Sequence, residues 1–193
     1  MSKTQNGSQA TSSDSSPLVI VVMGVSGCGK STVAANIADG LTLRGMKVHA
    51  KDGDELHPTA NIDKMASGQP LTDEDRQPWL EQVAVYAREK AELHNVCVIA
   101  CSALKLRYRQ TLNTAGQVVY VYLEGSRDLI GSRMHERSGH FMPESLLDSQ
   151  FATLEDPRDE PHVLTVSIDA TPEQVAEKAI SLLELNNYIQ PRR

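Results

Sequence analysis

The chain has little cysteine and no long apolar run. Its three cysteines are an odd number without a paired CxxC spacing, which fits neither a secreted disulfide framework nor a zinc site. No apolar stretch approaches the roughly 18 residues that a transmembrane helix needs. We therefore expect a protein that makes no use of the membrane and works in a reducing compartment, the cytoplasm.

Positive charge is also in short supply. Nineteen Lys and Arg residues face 25 Asp and Glu residues, so the formal net charge is −6. A chain of this charge repels phosphate backbones, and we expect no nucleic-acid partner. An anionic substrate would need Lys and Arg residues gathered locally.

The first 16 residues are polar and lack both an apolar segment and arginine, so they resemble neither a signal peptide nor a transit peptide. We predict a disordered tail over residues 1–16. Residues 17–193 are long enough to bury a core without disulfides, and we expect them to form a single domain.

Apolar, β-rich runs alternate with helical patterns along this domain. The predicted strands are 18–23, 46–50, 96–101, 118–123 and 163–168, and the predicted helices are 30–43, 58–66, 73–93, 104–112, 126–136, 143–154 and 172–185. This alternation predicts an α/β protein with a five-stranded, mostly parallel sheet and helices on both faces. Ligands should bind at the carboxyl ends of the strands.

A phosphate-binding loop lies between the first predicted strand and helix. Its residues are Gly24, Val25, Ser26, Gly27, Cys28, Gly29, Lys30 and Ser31, which match the pattern G-x-x-x-x-G-K-[ST] of P-loop NTPase folds. Glycines let backbone N–H groups surround a phosphate. We expect ATP to bind along this loop and Thr32, with Lys30 on the β- and γ-oxygens and Ser31 on Mg²⁺.

The rest of the chain narrows the class of P-loop protein. The strand at 96–101 ends in Cys-Ser, where motor-type ATPases carry an acidic residue, and no Asn-Lys-x-Asp guanine signature occurs. The remaining class of P-loop protein is a kinase that phosphorylates a small molecule.

Asp52, Gly53 and Asp54 form an acidic turn at the end of the second predicted strand, and we expect this turn to lie next to the P-loop. We predict that Asp54 orients and deprotonates an acceptor hydroxyl and that Asp52 belongs to the magnesium shell. The alternative is that both are turn-forming residues around Gly53.

Several segments closely resemble the gluconokinase family. They include Gly53-Asp54-Glu55-Leu56-His57-Pro58, Asp73-Glu74-Asp75-Arg76-Gln77-Pro78-Trp79-Leu80, Cys101-Ser102-Ala103-Leu104-Lys105, Gly139-His140-Phe141-Met142 and Gln150-Phe151-Ala152-Thr153-Leu154-Glu155. The resemblance covers about residues 18–169. It implies an enzyme similar to nucleoside-monophosphate kinases that uses ATP to phosphorylate D-gluconate at its 6-hydroxyl, feeding the pentose phosphate route, and that is commonly dimeric.

Gluconate is a polyhydroxylated carboxylate, and basic and polar residues cluster after the acidic turn. Arg76 suits a bidentate clamp on the carboxylate. The further substrate candidates are His57, Asn61, Lys64, Lys105 and Arg109. Three of them have a structural alternative. His57 could instead cap a helix, and Lys105 and Arg109 could form a solvated helix face. Trp79 is either an apolar wall of the site or a core residue.

The resemblance also implies a small lid at about 133–145 that closes over ATP. Arg133 and Arg137 lie four residues apart, and we predict that they stabilise transition-state charge. Arg127 is a weaker candidate for the same role. The alternative is that these arginines only form an exposed basic helix.

Two other functions stay open at this point. One is a kinase for a different small acid such as shikimate, and the other is a nucleotide-dependent binding module without phosphoryl transfer. The segments around His57 and Trp79 favour gluconate over shikimate, and the intact Lys30, Ser31 and Asp54 argue for catalysis.

Overall fold

The computed structural model describes residues 16–136 and 144–190. Its strands are β1 (Leu18–Met23), β2 (Val48–Asp52), β3 (Val96–Ala100), β4 (Gln117–Glu124) and β5 (Val163–Ser167). They form one five-stranded sheet in the order β2-β3-β1-β4-β5. Every strand pairing in it is parallel. The predicted α/β class is confirmed, and the sheet is fully rather than mostly parallel.

The helices connect the strands and cover both faces of the sheet. They are α1 (Lys30–Leu43), α2 (Thr59–Ala66), α3 (Asp73–His94), α4 (Leu106–Leu112), α5 (Arg127–Glu136), α6 (Glu144–Thr153) and α7 (Pro172–Leu185). Capping boxes start α3 and α7, since Thr72 pairs with Asp75 and Thr171 with Gln174. None of the described helices is long and apolar enough to cross a membrane.

The central strand β1 is buried along its whole length because the sheet is covered on both sides. Alternate side chains enter different cores, as the two-residue period of a strand requires. Leu18, Ile20 and Val22 share one core with residues of α1 and α7. Val19, Val21 and Met23 share the other core with residues of α3 such as Leu80. The sheet is therefore a rigid layer between two cores, and the loops at its carboxyl edge carry the polar residues.

Strand β2 differs from its prediction in extent. It runs to Asp52 rather than ending at residue 50, because Asp52 is still in register with Ala100 of β3. In the sheet, β3 separates β2 from β1, the strand that precedes the P-loop. The acidic turn still lies next to the P-loop, as predicted, because the start of α1 brings Ser31 to Asp52.

Most of the predicted tail, and the centre of the predicted lid with Arg137, lie outside the described residues.

Candidate active site

The P-loop holds a backbone conformation that depends on glycine. Gly27 has φ 83°, and a Cβ atom on it would lie 2.5 Å from Met134 Sδ of α5. Gly24 has φ 145°, and a Cβ there would lie 2.9 Å from Cys28 Sγ. Side chains at either position would force the loop away from the elements that hold it.

A pocket of about 200 Å³ opens between the P-loop and the acidic turn. It is lined by Ser26, Gly27, Gly29, Lys30, Ser31, Thr32, Asp52, Asp54 and Ala100. The structure thus gathers most of the predicted nucleotide residues and both aspartates around one cavity. Val25 and Cys28 instead turn their side chains into the core, where each is 3% exposed, so they can offer a phosphate only their backbone. Burial also raises the pKa of the Cys28 thiol.

Asp52 fastens the acidic turn to the P-loop. Ser31 Oγ donates a hydrogen bond to Asp52 Oδ2 at 2.5 Å, and the Asp54 backbone N–H donates to Asp52 Oδ1 at 3.0 Å. Lys30 Nζ donates to the Val25 carbonyl oxygen at 3.0 Å, so the ammonium lies over the loop itself. The hydroxyl of Ser31 and the carboxylate of Asp52 form a pair of adjacent hard oxygen atoms at the pocket wall.

Asp54 is the carboxylate that faces the open cleft. Partial desolvation by the surrounding protein and the negative charge of Asp52 both raise its pKa, while Lys30 and His57 act in the opposite direction. Its side chain is 76% exposed and lies beside the Asp52 charge. A carboxylate with a raised pKa is a better proton acceptor.

The acceptor side of the cleft is built on Trp79. The indole Nε1–H donates to the Gly53 carbonyl oxygen at 2.9 Å and so pins the acidic turn. The His57 ring stacks on the indole with centroids 4.1 Å apart. Gly53 is required here, because a Cβ on it would lie 2.8 Å from the Ala100 carbonyl oxygen. Trp79 is 5% exposed, so it is a core residue that also supports the site.

The basic residues predicted to bind substrate differ in whether a carboxylate of the protein already neutralises their charge. Lys64 Nζ lies 2.5 Å from Asp75 Oδ2, and Lys105 Nζ lies 2.8 Å from Asp73 Oδ2. Arg76 donates to the Leu71 carbonyl oxygen. Among the side chains that the structure describes, no carboxylate pairs with the Arg76 guanidinium. It therefore keeps its charge available for an anion, as the prediction for it requires.

Arg109 does not fit the role predicted for it. It is 0% exposed, and its Nε and Nη2 atoms bind the Glu160 carboxylate at 2.8 and 2.5 Å. Two further donors bind the Ala103 and Glu155 carbonyl oxygens at 2.7 and 3.2 Å. We therefore remove Arg109 from the proposed substrate site, because its guanidinium is buried and four of its five N–H donors already bind groups of the protein.

The arginines before the predicted lid also have partners. Arg133 Nη2 donates to the Ala170 carbonyl oxygen at 3.1 Å, so in this structure it reaches the loop between β5 and α7. Arg127 pairs with Asp148 of α6 at 2.5 Å. The transition-state role of Arg133 and Arg137 stays a prediction.

Sequence reasoning missed two residues. Gln150 of α6 accepts a hydrogen bond from the Ser26 backbone N–H of the P-loop at 3.2 Å. Glu160 neutralises Arg109 across 51 residues of sequence. No periodic pattern marks either of them, and the only signal for Gln150 was its place in a segment that resembles the gluconokinases.

Comparison with known proteins identifies the family. Residues 16–137 match the family model for adenylylsulphate kinase. A gluconokinase of Gluconobacter oxydans is 45% identical over 85% of this chain and 90% of its own length. The thermoresistant gluconokinase of Escherichia coli is 44% identical over 86% of this chain and 93% of its own.

A solved structure agrees. The crystal structure of a gluconokinase from Sinorhizobium meliloti superposes with a TM-score of 0.77 at 41% identity, covering 90% of this chain and 97% of that one. The chain therefore belongs to the gluconokinase family of P-loop kinases.

Proposed function

We propose that this protein transfers the γ-phosphoryl group of ATP to the 6-hydroxyl of D-gluconate, giving 6-phospho-D-gluconate and ADP. The observation that carries the proposal is that Asp54, the proposed proton acceptor, lines the same pocket as Lys30 and Ser31 of the P-loop. Membership of the gluconokinase family supports gluconate as the acceptor.

The residues divide the reaction between them. The P-loop N–H groups and Lys30 hold the phosphates and spread the charge that develops on them. The gluconate hydroxyl oxygen forms a bond to the γ-phosphorus as the bond to the bridging oxygen breaks, and ADP leaves with that electron pair. Asp54 takes the hydroxyl proton.

Ser31 and Asp52 would hold Mg²⁺. Their oxygen atoms are the hard ligands that this ion prefers, and it typically uses one or two protein groups together with water and phosphate oxygens. When bound, the ion would neutralise phosphate charge.

Arg76 is the proposed partner of the gluconate carboxylate. It is the predicted basic residue beside His57 without a carboxylate of its own, and it is close enough to His57 to lower that residue's pKa. A half-buried cation left unpaired by a neutral sugar loses part of its solvation without compensation. We therefore expect glucose, which lacks the carboxylate, to be a poor substrate.

The test is a coupled ADP-release assay with gluconate, glucose, shikimate and adenylylsulphate. We expect kcat/KM for gluconate to exceed that for each of the others by at least roughly 10²-fold. Preference for shikimate or adenylylsulphate would replace the proposed acceptor. Tight ATP binding with no turnover of any acceptor would favour the nucleotide-dependent binding module.

We also propose that the protein is a homodimer and that it is located in the cytoplasm. The family resemblance supports the dimer, and three free cysteines support a reducing compartment. A monomeric mass by light scattering at micromolar concentration would contradict the dimer.

A further inference from the structure

The hydrogen bonds around Asn61 determine which nitrogen of His57 carries a proton. Asn61 Nδ2 lies 2.9 Å from the Asp75 carbonyl oxygen, which can only accept, so the amide nitrogen must face it. The same Nδ2 lies 3.3 Å from His57 Nδ1. Nδ1 is therefore the acceptor, and the hydrogen of the neutral ring is on Nε2.

The ring is also held in one orientation. Its side chain is 6% exposed, and it lies nearly parallel to the Trp79 indole, at 16°. Burial lowers the His57 pKa, Arg76 lowers it further and Asp54 opposes both. Because the same indole binds the Gly53 carbonyl oxygen, the ring and the acidic turn are positioned by one side chain.

The His57 Nε2–H faces Asp54 across a gap. The distance from Nε2 to Asp54 Oδ1 is 3.9 Å, which is too long for a direct hydrogen bond. One oxygen atom about 2.8 Å from each would bridge the gap with an angle near roughly 90° at that oxygen. A hydroxyl fits this place, because it can accept from Nε2–H and donate to the carboxylate at the same time.

We propose that His57 and Asp54 form a two-point clamp on the acceptor hydroxyl, with Asn61 as a positioning residue rather than a substrate ligand. The inference rests on the proposed function and deepens it. The hydroxyl oxygen accepts from His57, its hydrogen points to Asp54, and its remaining lone pair attacks the phosphorus. The proton then passes to Asp54 while ADP takes the electrons of the broken bond.

The clamp also restricts the acceptor. A protonated amine has no lone pair for the Nε2–H, and a carboxylate has no proton for Asp54, so neither satisfies both contacts. Selection for an alcohol at this position is therefore a property of the pair and not of either residue alone.

Two variants of His57 separate the effect of its N–H donor from the effect of its aromatic ring. His57→Phe keeps an aromatic ring on Trp79 but removes the donor, and we expect kcat with gluconate to fall about 10- to 100-fold with nucleotide Kd unchanged. His57→Gln returns an N–H donor and should recover part of the loss. A His57→Phe enzyme with kcat within about twofold of wild type would overturn the clamp.

The same comparison distinguishes failure of the clamp from failure of the proposed function. If the wild-type enzyme phosphorylates a different alcohol, gluconate is the wrong substrate, and the variants are compared on that alcohol. If the wild-type enzyme turns over gluconate and both variants match it, only the clamp is wrong.

The role of Asn61 has a spectroscopic test that needs no turnover. Nitrogen-15 NMR of the His57 ring in the wild-type protein should show the Nε2–H tautomer. Asn61→Asp replaces the donor with an acceptor and should move the hydrogen to Nδ1, lowering kcat, whereas Asn187→Asp on the exposed surface should change neither. An Nδ1–H tautomer in the wild-type protein would overturn the assignment even if the His57 variants fail to fold.

Discussion

The two walls of the cleft are built by different means. The P-loop wall comes from one continuous segment whose glycines shape the backbone, and the phosphate contacts proposed for it come from consecutive N–H groups and the adjoining Lys30 and Ser31. The acceptor wall is assembled from the end of β2, the segment that follows it, and α2 and α3. There, side chains such as Trp79 and Asn61 set the positions of others.

This difference predicts how each wall responds to mutation. A change in the P-loop removes a contact to the phosphates directly and should affect every acceptor equally. Changes on the acceptor wall should separate into those that touch the substrate and those that act through a neighbour. The predictions below use this distinction, from the largest expected effect to the smallest.

Lys30→Ala should have the largest effect. Removing the ammonium leaves developing phosphate charge without its cation, and we expect kcat to fall at least roughly 10³-fold with every acceptor. Steady-state kinetics check this, with Lys47→Ala at an exposed position as the control. Near-normal turnover would remove the P-loop wall from the mechanism.

Asp54→Asn keeps the shape of the side chain but cannot take a proton, so kcat should fall roughly 10²-fold while nucleotide Kd changes little.

Asp52→Asn weakens the bonds to Ser31 and to the Asp54 N–H. Its defect should be partly rescued by high Mg²⁺, and its Tm should also fall. Rescue of Asp54→Asn instead would mean that the two roles are exchanged.

Arg76 and Arg109 test the acceptor wall directly. Arg76→Ala should raise KM for gluconate about 10- to 100-fold and leave Tm nearly unchanged, because it removes a ligand contact. Arg109→Met should leave KM nearly unchanged but destabilise the fold by about 3 kcal/mol, because Glu160 loses its buried partner.

Thermal unfolding and gluconate titration of both arginine variants give the comparison. An Arg109 variant that is stable but binds gluconate weakly would restore this residue to the substrate site.

Gln150→Ala should weaken nucleotide binding by about 2- to 10-fold, since one hydrogen bond to the Ser26 N–H is lost and the loop is less well held. The KM for gluconate should not move. Isothermal titration with an ATP analogue measures the change, and Ser149→Ala on the exposed side of the same helix is the matched control. Equal affinities would show that α6 does not support the loop.

The smallest expected effect concerns stability at low pH. Hydrogen bonds from Lys105 and Tyr108 lower the pKa of Asp73 to about 2, against about 3.9 in an unfolded chain. The folded state therefore binds this proton less readily, so the stabilisation is present above about pH 4 and is lost as the pH falls towards 2.

Asp73→Asn should lower Tm by about 1–4 °C at pH 7 and by less at pH 3. Melting curves of the wild-type protein, this variant and Asp159→Asn at an exposed position provide the check. A difference from wild type that does not depend on pH would contradict the ionic role of Asp73.

The amino-acid sequence by itself determined the parallel α/β fold and the P-loop. Both follow from short-range patterns: an apolar strand, a glycine-rich turn and a helix that begins at Lys30 are all read within about 25 consecutive residues. The candidate residues near the acidic turn could be predicted for the same reason. Their residue types, their spacing after β2 and their resemblance to a family are all visible in the sequence, without knowledge of any tertiary contact.

Only the tertiary structure decided which of these residues are free to act. Lys105 and Arg109 lie on one short segment four residues apart, yet one is partly exposed and paired with Asp73, and the other is buried against Glu160. Helical spacing places two side chains on one face but does not say which carboxylates fold onto them. Charges are neutralised by partners distant in sequence, and those pairings exist only once the chain has packed.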